Sequence, residues 1–301
     1  MHQLSPLKKD SPVRIISTAG VIDPIWLEGA ARCLTQWGLR VQTGKNASKR
    51  CGRFAGTLQE RLEDLQEALD DPNIEAIFFS RGGYGTVHVL DKLRLDRFRA
   101  KPKWLIGFSD ITMLHSLIQK QGVESIHGGM AKALTESLTQ ANEPMTRLKN
   151  LLFGLRDDVI TSVHPLNKMG VAKGRLVGGN LSILYSLRAT PFDAEFKNNI
   201  LFIEDIGEKP YVIDRMMYNL KLSGALAQLS GLVVGQFNEY EEDPLFGKTV
   251  YEIVASAVAE YHYPIAFNFP IGHVENNQPL ICGADVRLDV GTQNTNLHYL
   301  L

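Results

Sequence analysis

The 301-residue sequence lacks long apolar runs, clustered cysteines and any large imbalance of charge. No stretch approaches the roughly 18 consecutive apolar residues that a membrane-spanning helix needs, so no membrane association is predicted. The amino-terminal segment has no uninterrupted apolar core before a small-residue cleavage site, so no export signal is expected.

Cysteine is scarce, and Cys33, Cys51 and Cys282 lie far apart without a C-x-x-C or Cys/His cluster. This spacing argues against a zinc site or a disulfide framework and favours the reducing cytoplasm. The formal net charge of −1 leaves no overall attraction for nucleic acid or anionic lipid. We therefore expect a soluble cytoplasmic protein that binds a small molecule or a peptide.

Apolar strand patterns alternate with amphipathic helix patterns through the first half of the chain. This alternation is typical of βαβ units with a parallel sheet, whose ligand sites lie at the carboxyl ends of the strands. The pattern weakens after residue 140, and strands outnumber helices towards the end. We predict an α/β domain over residues 1–150, a linker over 151–170 and a smaller mixed, β-rich domain over 171–301.

Ser109 follows the apolar segment WLIGF and precedes a helical pattern, so its hydroxyl is predicted at a tight strand-to-helix turn. Such a turn suits a nucleophile, because the following helix offers unpaired backbone N–H groups to a developing oxyanion. The G-F-S-D-I sequence lacks the second glycine of a G-x-S-x-G elbow, and a simple helix-capping serine is the competing interpretation.

A second turn, RGGYG at 81–85, also follows a predicted strand. Gly82 and Gly83 could bring backbone N–H groups close to a ligand oxygen, or could simply form a turn. The segment has neither a G-x-G-x-x-G pattern nor a P-loop lysine, which disfavours a nucleotide site.

Two further groups complete a possible catalytic set. Glu204 ends the predicted strand ILFIED, and His273 lies in a loop after FPIG, where an imidazole can act as a base. His127, in HGGM, is a candidate binding group; solvated acids and structural histidines are the alternatives. A hydroxyl, an acid and an imidazole together supply nucleophile, orienting group and base, in a cleft that both halves of the chain would have to form.

With these segments in place, the sequence resembles the LD-carboxypeptidase family of serine peptidases over nearly its whole length. The resemblance rests on FAGTLQERLEDLQEALDDPNIEAIFFSRGGYGT, IGFSDITMLH, HGGM, GRLVGGNLSIL, ILFIEDIGEKPYVIDRMMYNLKLSGAL and FPIGHVENNQPLICGADVRLD. One departure is STAG at 17–20, where relatives often have S-P-S-G.

The resemblance implies a Rossmann-like amino-terminal domain, a β-rich swivelling-type carboxyl-terminal domain and a homodimer. It implies Ser109 as nucleophile, Glu204 as the group that orients the histidine and His273 as base. The oxyanion donors would be the backbone amides of Asp110 and of Gly82 or Gly83, with no metal and no cofactor. The implied activity is release of the terminal D-alanine from murein tetrapeptide during peptidoglycan recycling.

Other readings stay open at this point. Arg81 is available to bind the terminal carboxylate of the peptide, or to serve as a structural ion-pair partner. A branch of the same family hydrolyses peptidyl-nucleotide antibiotics, although its members tend to carry an extra loop. A non-catalytic protein that closes two domains on a small ligand would use the glycine turns as binding loops.

Overall fold

The computed structural model describes residues 3–300 and divides the chain into two compact units. The first unit comprises Met1–Arg156 with Gln278–Ile281, and the second comprises Asp157–Asn277 with Cys282–Leu301.

The strands and helices are as follows. The strands are β1 (Pro12–Ile16), β2 (Arg40–Thr43), β3 (Ala76–Phe79), β4 (Trp104–Gly107), β5 (Ser125–His127), β6 (Val159–Ser162), β7 (Gly170–Asn180), β8 (Ile200–Ile206), β9 (Gly231–Asn238), β10 (Ile265–Ala266), β11 (Leu280–Cys282), β12 (Asp285–Val290) and β13 (Asn294–Tyr299). The α-helices are α1 (Pro24–Gln36), α2 (Leu58–Asp70), α3 (Asp96–Ala100), α4 (Thr112–Gln119), α5 (Ala131–Glu136), α6 (Glu143–Leu152), α7 (Leu181–Ser186), α8 (Pro210–Leu222) and α9 (Val250–Val258). Over residues 3–300, none of these helices combines the length and apolar character required to cross a bilayer.

The first unit contains a six-stranded sheet in the order β11-β5-β4-β3-β1-β2. The pairs β1–β2, β1–β3, β3–β4 and β4–β5 are all parallel. Because β3 and β4 are parallel neighbours, the segments that follow Phe79 and Gly107 leave the same edge of the sheet. Those segments are the RGGYG turn and the turn that carries Ser109, so the topology brings the two predicted turns together.

Helix α2 shows how the sequence sets these elements. Thr57 and Glu60 form a capping box, in which the threonine hydroxyl accepts from the Glu60 N–H and the glutamate accepts from the Thr57 N–H. At the other end of α2, the buried ammonium of Lys103 donates to the carbonyls of Ala68 and Asp71. Both ends of the helix therefore have partners for groups that a helix leaves unpaired.

The second unit contains a seven-stranded sheet in the order β10-β9-β8-β7-β12-β13-β6. The strands from β7 to β10 pair in parallel, and β12, β13 and β6 add antiparallel pairs beyond β7. Apolar residues of α7, α8 and α9 pack with those of β7, β8 and β9 in one buried cluster. Glu204 lies near the end of β8 and is thus positioned by a central strand.

The parallel sheet and the second, strand-rich unit confirm the predicted α/β fold class. The predicted linker, 151–170, holds the end of α6 and all of β6, and the change of unit falls between Arg156 and Asp157. Residues 278–281 return to the first unit, and β11 becomes the edge strand beside β5. A pairing between segments so far apart in sequence leaves no local pattern from which it could be predicted.

Candidate active site

Ser109 occupies a strained turn directly after β4. Its φ of +63° lies in the left-handed region, where residues other than glycine are uncommon. It begins a 3₁₀ turn, Ser109–Ile111, that leads into α4, and the position before α4 is Ile111, which makes no side-chain capping bond. The helix-capping interpretation of Ser109 is therefore wrong. Strain of this kind at a strand-to-helix turn is typical of a functional position.

Gly82 of the RGGYG turn packs against Ser109. A Cβ atom added at Gly82 would lie 2.8 Å from the Ser109 Cβ, 2.9 Å from its Oγ and 3.4 Å from the backbone N of Asp110. Only a glycine allows the turn to approach the hydroxyl so closely. Gly83 faces elsewhere, since its added Cβ would lie 3.5 Å from the Cα of Gly20, and its φ of +104° also favours glycine.

The backbone N–H groups around Ser109 have unused donor capacity. Within residues 3–300, the N–H groups of Gly82, Gly83 and Asp110 donate no hydrogen bond. The Gly82 carbonyl, in contrast, accepts from the Gly20 N–H at 3.0 Å. The structure thus places N–H donors without protein acceptors beside the hydroxyl, as stabilisation of an oxyanion requires.

Two buried charged side chains hold the glycine turn in place. The Asp110 carboxylate accepts from the Thr86 N–H at 2.8 Å. The Arg61 guanidinium donates to the carbonyls of Thr18 and Gly85, each at 2.7 Å. Burial raises the pKa of Asp110, an effect that the bonds to Thr86 and the charge of Arg61 oppose. From the sequence, only the amide of Asp110 was predicted to take part, and Arg61 was not predicted at all.

Two buried histidines contact the residues that directly precede Ser109. His115 of α4 bonds to Ser125 Oγ through Nδ1 and to the Gly107 carbonyl through Nε2, both at 2.8 Å. His127 packs edge-on against Phe108, with ring centroids 5.7 Å apart. The His127 side chain is fully buried. A role for His127 in binding the substrate stays a prediction.

In the second unit, the Nδ1 of His273 and the Oε2 of Glu204 are 2.8 Å apart. Because a carboxylate only accepts hydrogen bonds, this contact assigns the proton to Nδ1 and leaves the lone pair of Nε2 to act as a base. Glu204 is fully buried and His273 is partly buried. The acid and the imidazole predicted from the sequence therefore meet with the geometry of an oriented general base.

The charge around His273 increases its basicity. Burial alone would lower the pKa of His273, but the hydrogen bond and charge of Glu204, followed by the charges of Asp205 and Glu239, raise it above its usual value. The imidazole is thus better suited to take up a proton near neutral pH than an isolated histidine of the same burial.

The His273 loop is fixed to the β8–β9 edge by its backbone. Gly272 has a φ of +121°, and a Cβ added there would lie 3.0 Å from both the Cβ and the Oε2 of Glu204. The Gly272 N–H donates to Asn277 Oδ1, and the His273 carbonyl accepts from the Asn238 side chain. Neither Asn277, four residues after the histidine, nor Asn238, the last residue of β9, was predicted from the sequence.

Arg81 has a structural contact of its own. Its guanidinium donates to the Val21 carbonyl at 2.7 Å, and its side chain is exposed. A role for Arg81 in binding a peptide carboxylate stays a prediction. Among residues 3–300, no group of three or more histidine, cysteine or acidic side chains is arranged to hold a metal ion.

Comparison with known proteins agrees with these features. Residues 13–128 match the model of the LD-carboxypeptidase N-terminal domain, and residues 173–288 match that of the LD-carboxypeptidase C-terminal domain. The "Probable murein peptide carboxypeptidase" of Bacillus subtilis is 33% identical over 94% of this chain and 90% of its own. The murein tetrapeptide carboxypeptidase of Pseudomonas aeruginosa is 32% identical over 89% of this chain and 90% of its own.

A solved structure extends the likeness to the whole fold. The muramoyltetrapeptide carboxypeptidase of Oxalobacter formigenes superimposes with a TM-score of 0.87 at 27% identity, covering 96% of this chain and 98% of that one. With both domain models matched and relatives aligned along most of its length, the chain belongs to the LD-carboxypeptidase family of peptidases.

Proposed function

We propose that this protein is a cytoplasmic serine LD-carboxypeptidase that releases the terminal D-alanine from murein tetrapeptide in peptidoglycan recycling. The hydrogen bond between His273 and Glu204 carries the proposal, because it prepares a base for a serine peptidase mechanism. The strained turn of Ser109 and the unused N–H groups beside it support the same chemistry. The names of the Bacillus and Pseudomonas relatives support the substrate class.

In the proposed mechanism, the Ser109 hydroxyl attacks the carbonyl that joins the diaminopimelate residue to D-alanine. His273 Nε2 takes the hydroxyl proton, while Glu204 stabilises the imidazolium. The backbone N–H of Asp110 and one from Gly82 or Gly83 stabilise the oxyanion, each by about 3 kcal/mol. His273 then protonates the departing amine of D-alanine. Water activated by the same imidazole hydrolyses the acyl-enzyme and restores the serine.

Loss of the nucleophile is the direct test. We expect Ser109→Ala to lower D-alanine release from murein tetrapeptide by about 10⁴-fold or more, with peptide binding retained, because the triad acts as a unit. D-Alanine release and peptide binding are measured separately on the purified protein. Ser186→Ala, which changes an exposed serine of α7 bonded only to a carbonyl of its own helix, should leave release unchanged.

Equal release by wild type and Ser109→Ala would refute the triad assignment. If the wild-type protein bound the peptide but released nothing, the two-domain ligand-binding alternative would replace the peptidase.

Substrate length should discriminate within the peptidase class. The terminal bond of the tetrapeptide begins at an L-centre, whereas that of the pentapeptide joins two D-centres. We expect tetrapeptide to be hydrolysed in clear preference to pentapeptide and tripeptide, in parallel assays of free amino acid. Hydrolysis of a peptidyl-nucleotide in preference to tetrapeptide would instead indicate the self-immunity branch of the family.

We also propose that the protein is a homodimer and that Arg81 contributes to binding of the peptide carboxylate. The first of these rests on the family resemblance alone, and light scattering of the purified protein tests it. The second rests on the exposed guanidinium beside the glycine turn. If Arg81 binds the peptide carboxylate, Arg81→Lys should raise KM with little change in kcat.

A further inference from the structure

Asp205 is a second buried carboxylate directly after Glu204, with partners of its own. Its side chain is 2% exposed, and that of Glu204 is fully buried. Acidic side chains are rarely buried unless they are paired, so two in succession require an explanation. The burial of the Glu204 carboxylate is explained by its hydrogen bond to His273. Asp205 makes no hydrogen bond to the imidazole and is not used in the proposed mechanism.

Three N–H donors surround the Asp205 carboxylate. Oδ2 accepts from the Ser182 N–H at 2.7 Å, and Oδ1 accepts from the Ile206 N–H at 2.8 Å and from the Asn180 side chain at 3.0 Å. Asn180 also caps α7 by accepting from the Ile183 N–H. One carboxylate therefore joins the end of β8 to the end of β7 and the start of α7.

The residues joined by the Asp205 carboxylate lie directly beside Glu204. Asn180 is the register partner of Glu204 in the β7–β8 pair. The β8–β9 pair is irregular at the same place, because its register shifts between Ile203 and Asp205. On the β7 side, the bonds to Asp205 fix the end of β8 next to the residue that orients His273.

From these contacts we infer that Asp205 is a positioning residue of the Glu204–His273 pair: it fixes the end of β8 and keeps a second carboxylate beside the imidazole. The inference rests on the proposed function, since it assigns Asp205 a part in the same reaction. Asp205 acts through Glu204 and His273 and does not itself contact the substrate or the reacting atoms.

The electrostatics agree with the geometry. Burial, followed by the charge of Glu204, raises the pKa of Asp205, whereas the three bonds from Ile206, Ser182 and Asn180 stabilise its charged form. The groups that raise the pKa of His273 are Glu204, Asp205 and Glu239. Removal of the Asp205 charge should therefore make His273 less basic.

The test is Asp205→Asn. An asparagine keeps the shape but turns one accepting oxygen into a donor that faces a backbone N–H. We expect kcat for D-alanine release to fall about ten- to a hundredfold, as the loss of hydrogen bonds to a charged group implies, with a smaller change in KM. The acidic limb of the pH profile of kcat/KM should move to lower pH, because the pKa of the free-enzyme base falls.

Asp193→Asn is the matched control in the same unit. Like Asp205, Asp193 accepts from one side chain and from a backbone N–H, in its case those of Arg188 and Ala189. We expect this variant to keep the wild-type kcat and pH profile. If Asp205→Asn does not fold, Asn180→Ser replaces it, because serine retains a capping oxygen and removes one donor to Asp205; its kcat should fall severalfold.

Titration of His273 by NMR separates failure of this inference from failure of the proposed function. The pKa of His273 is read directly and requires no turnover, so an inactive wild type would refute the proposed function and leave this measurement intact. A lower His273 pKa in Asp205→Asn supports the inference. An unchanged His273 pKa, or loss of activity with an unmoved acidic limb, would overturn it.

Discussion

Ser109 is held in a backbone conformation that is unfavourable for any residue other than glycine. A left-handed serine costs about 1–2 kcal/mol relative to an ordinary conformation, and a glycine would remove that cost. A glycine would also remove the hydroxyl. The strain is offset by the surrounding contacts, among them the bond from Thr86 to Asp110, the next residue along the chain.

Gly82 is the residue on which the approach of the two turns depends. Its φ lies outside the left-handed region, so alanine fits the backbone, but the added methyl group would overlap the Ser109 side chain. We expect Gly82→Ala to lower kcat/KM for tetrapeptide by about a hundredfold, because small displacements of a nucleophile have costs of this size. Steady-state kinetics on the folded variant measures the effect.

The control for this change is Gly122→Ala. Gly122 has a φ of +72°, and an added Cβ there has no neighbour within 4 Å. This substitution should cost about 1 kcal/mol of stability through backbone strain and leave kcat/KM unchanged. Wild-type kinetics for Gly82→Ala would contradict the close packing of the turn against Ser109.

Among the elements, β4, α4 and β5 support the turn that carries Ser109, and His115 joins them. Its ring links the last residue of β4, Gly107, to the first residue of β5, Ser125. The bond to a carbonyl places a proton on Nε2, so Nδ1 accepts from the serine, and the ring is neutral. Burial lowers the pKa of His115 to about 4, although the bond to Gly107 opposes that change.

A neutral buried histidine makes the stability of this support depend on pH. The pKa of His115 is lowered on folding from about 6.5 to about 4, so the unfolded chain binds more protons between these values. The contribution of His115 is fully present above pH 6.5 and is lost as the pH falls towards 4. We expect the free energy of unfolding to drop by about 1.4 kcal/mol per pH unit within that window from this residue.

Urea unfolding at several pH values measures this dependence. His115→Gln should be less stable at pH 7 and should show a shallower loss towards pH 4, since glutamine does not titrate. The exposed His262 provides a control, because His262→Gln should retain the wild-type slope. Equal slopes for wild type and His115→Gln would show that the imidazole does not stay neutral on folding.

At the scale of the whole molecule, the parts that could be predicted from the sequence are those with local signals. The ends of β3 and β4 are marked by apolar runs that stop at RGGYG and at GFSD, and the helix between β4 and β5 follows from its apolar spacing. The return of β11 and the bonds of Asp205 and His115 could not be predicted. They depend on contacts between residues far apart in sequence, or on which way a side chain turns, and neither leaves a periodic pattern.

The return of β11 has a consequence for how the first unit folds. Gln278–Ile281 belong to that unit although they follow most of the second one in sequence, and Leu280 and Ile281 are fully buried. A fragment of residues 1–156 would lack these side chains, each worth about 1.5–3 kcal/mol on burial, and would expose the edge of β5. We expect it to unfold at a lower urea concentration than the same fragment with residues 278–284 attached through a long Gly/Ser linker. Ile281→Asp in the attached segment should abolish the increase in the urea midpoint. Equal midpoints for the fragments with and without the segment would mean that β11 contributes nothing to the stability of the first unit.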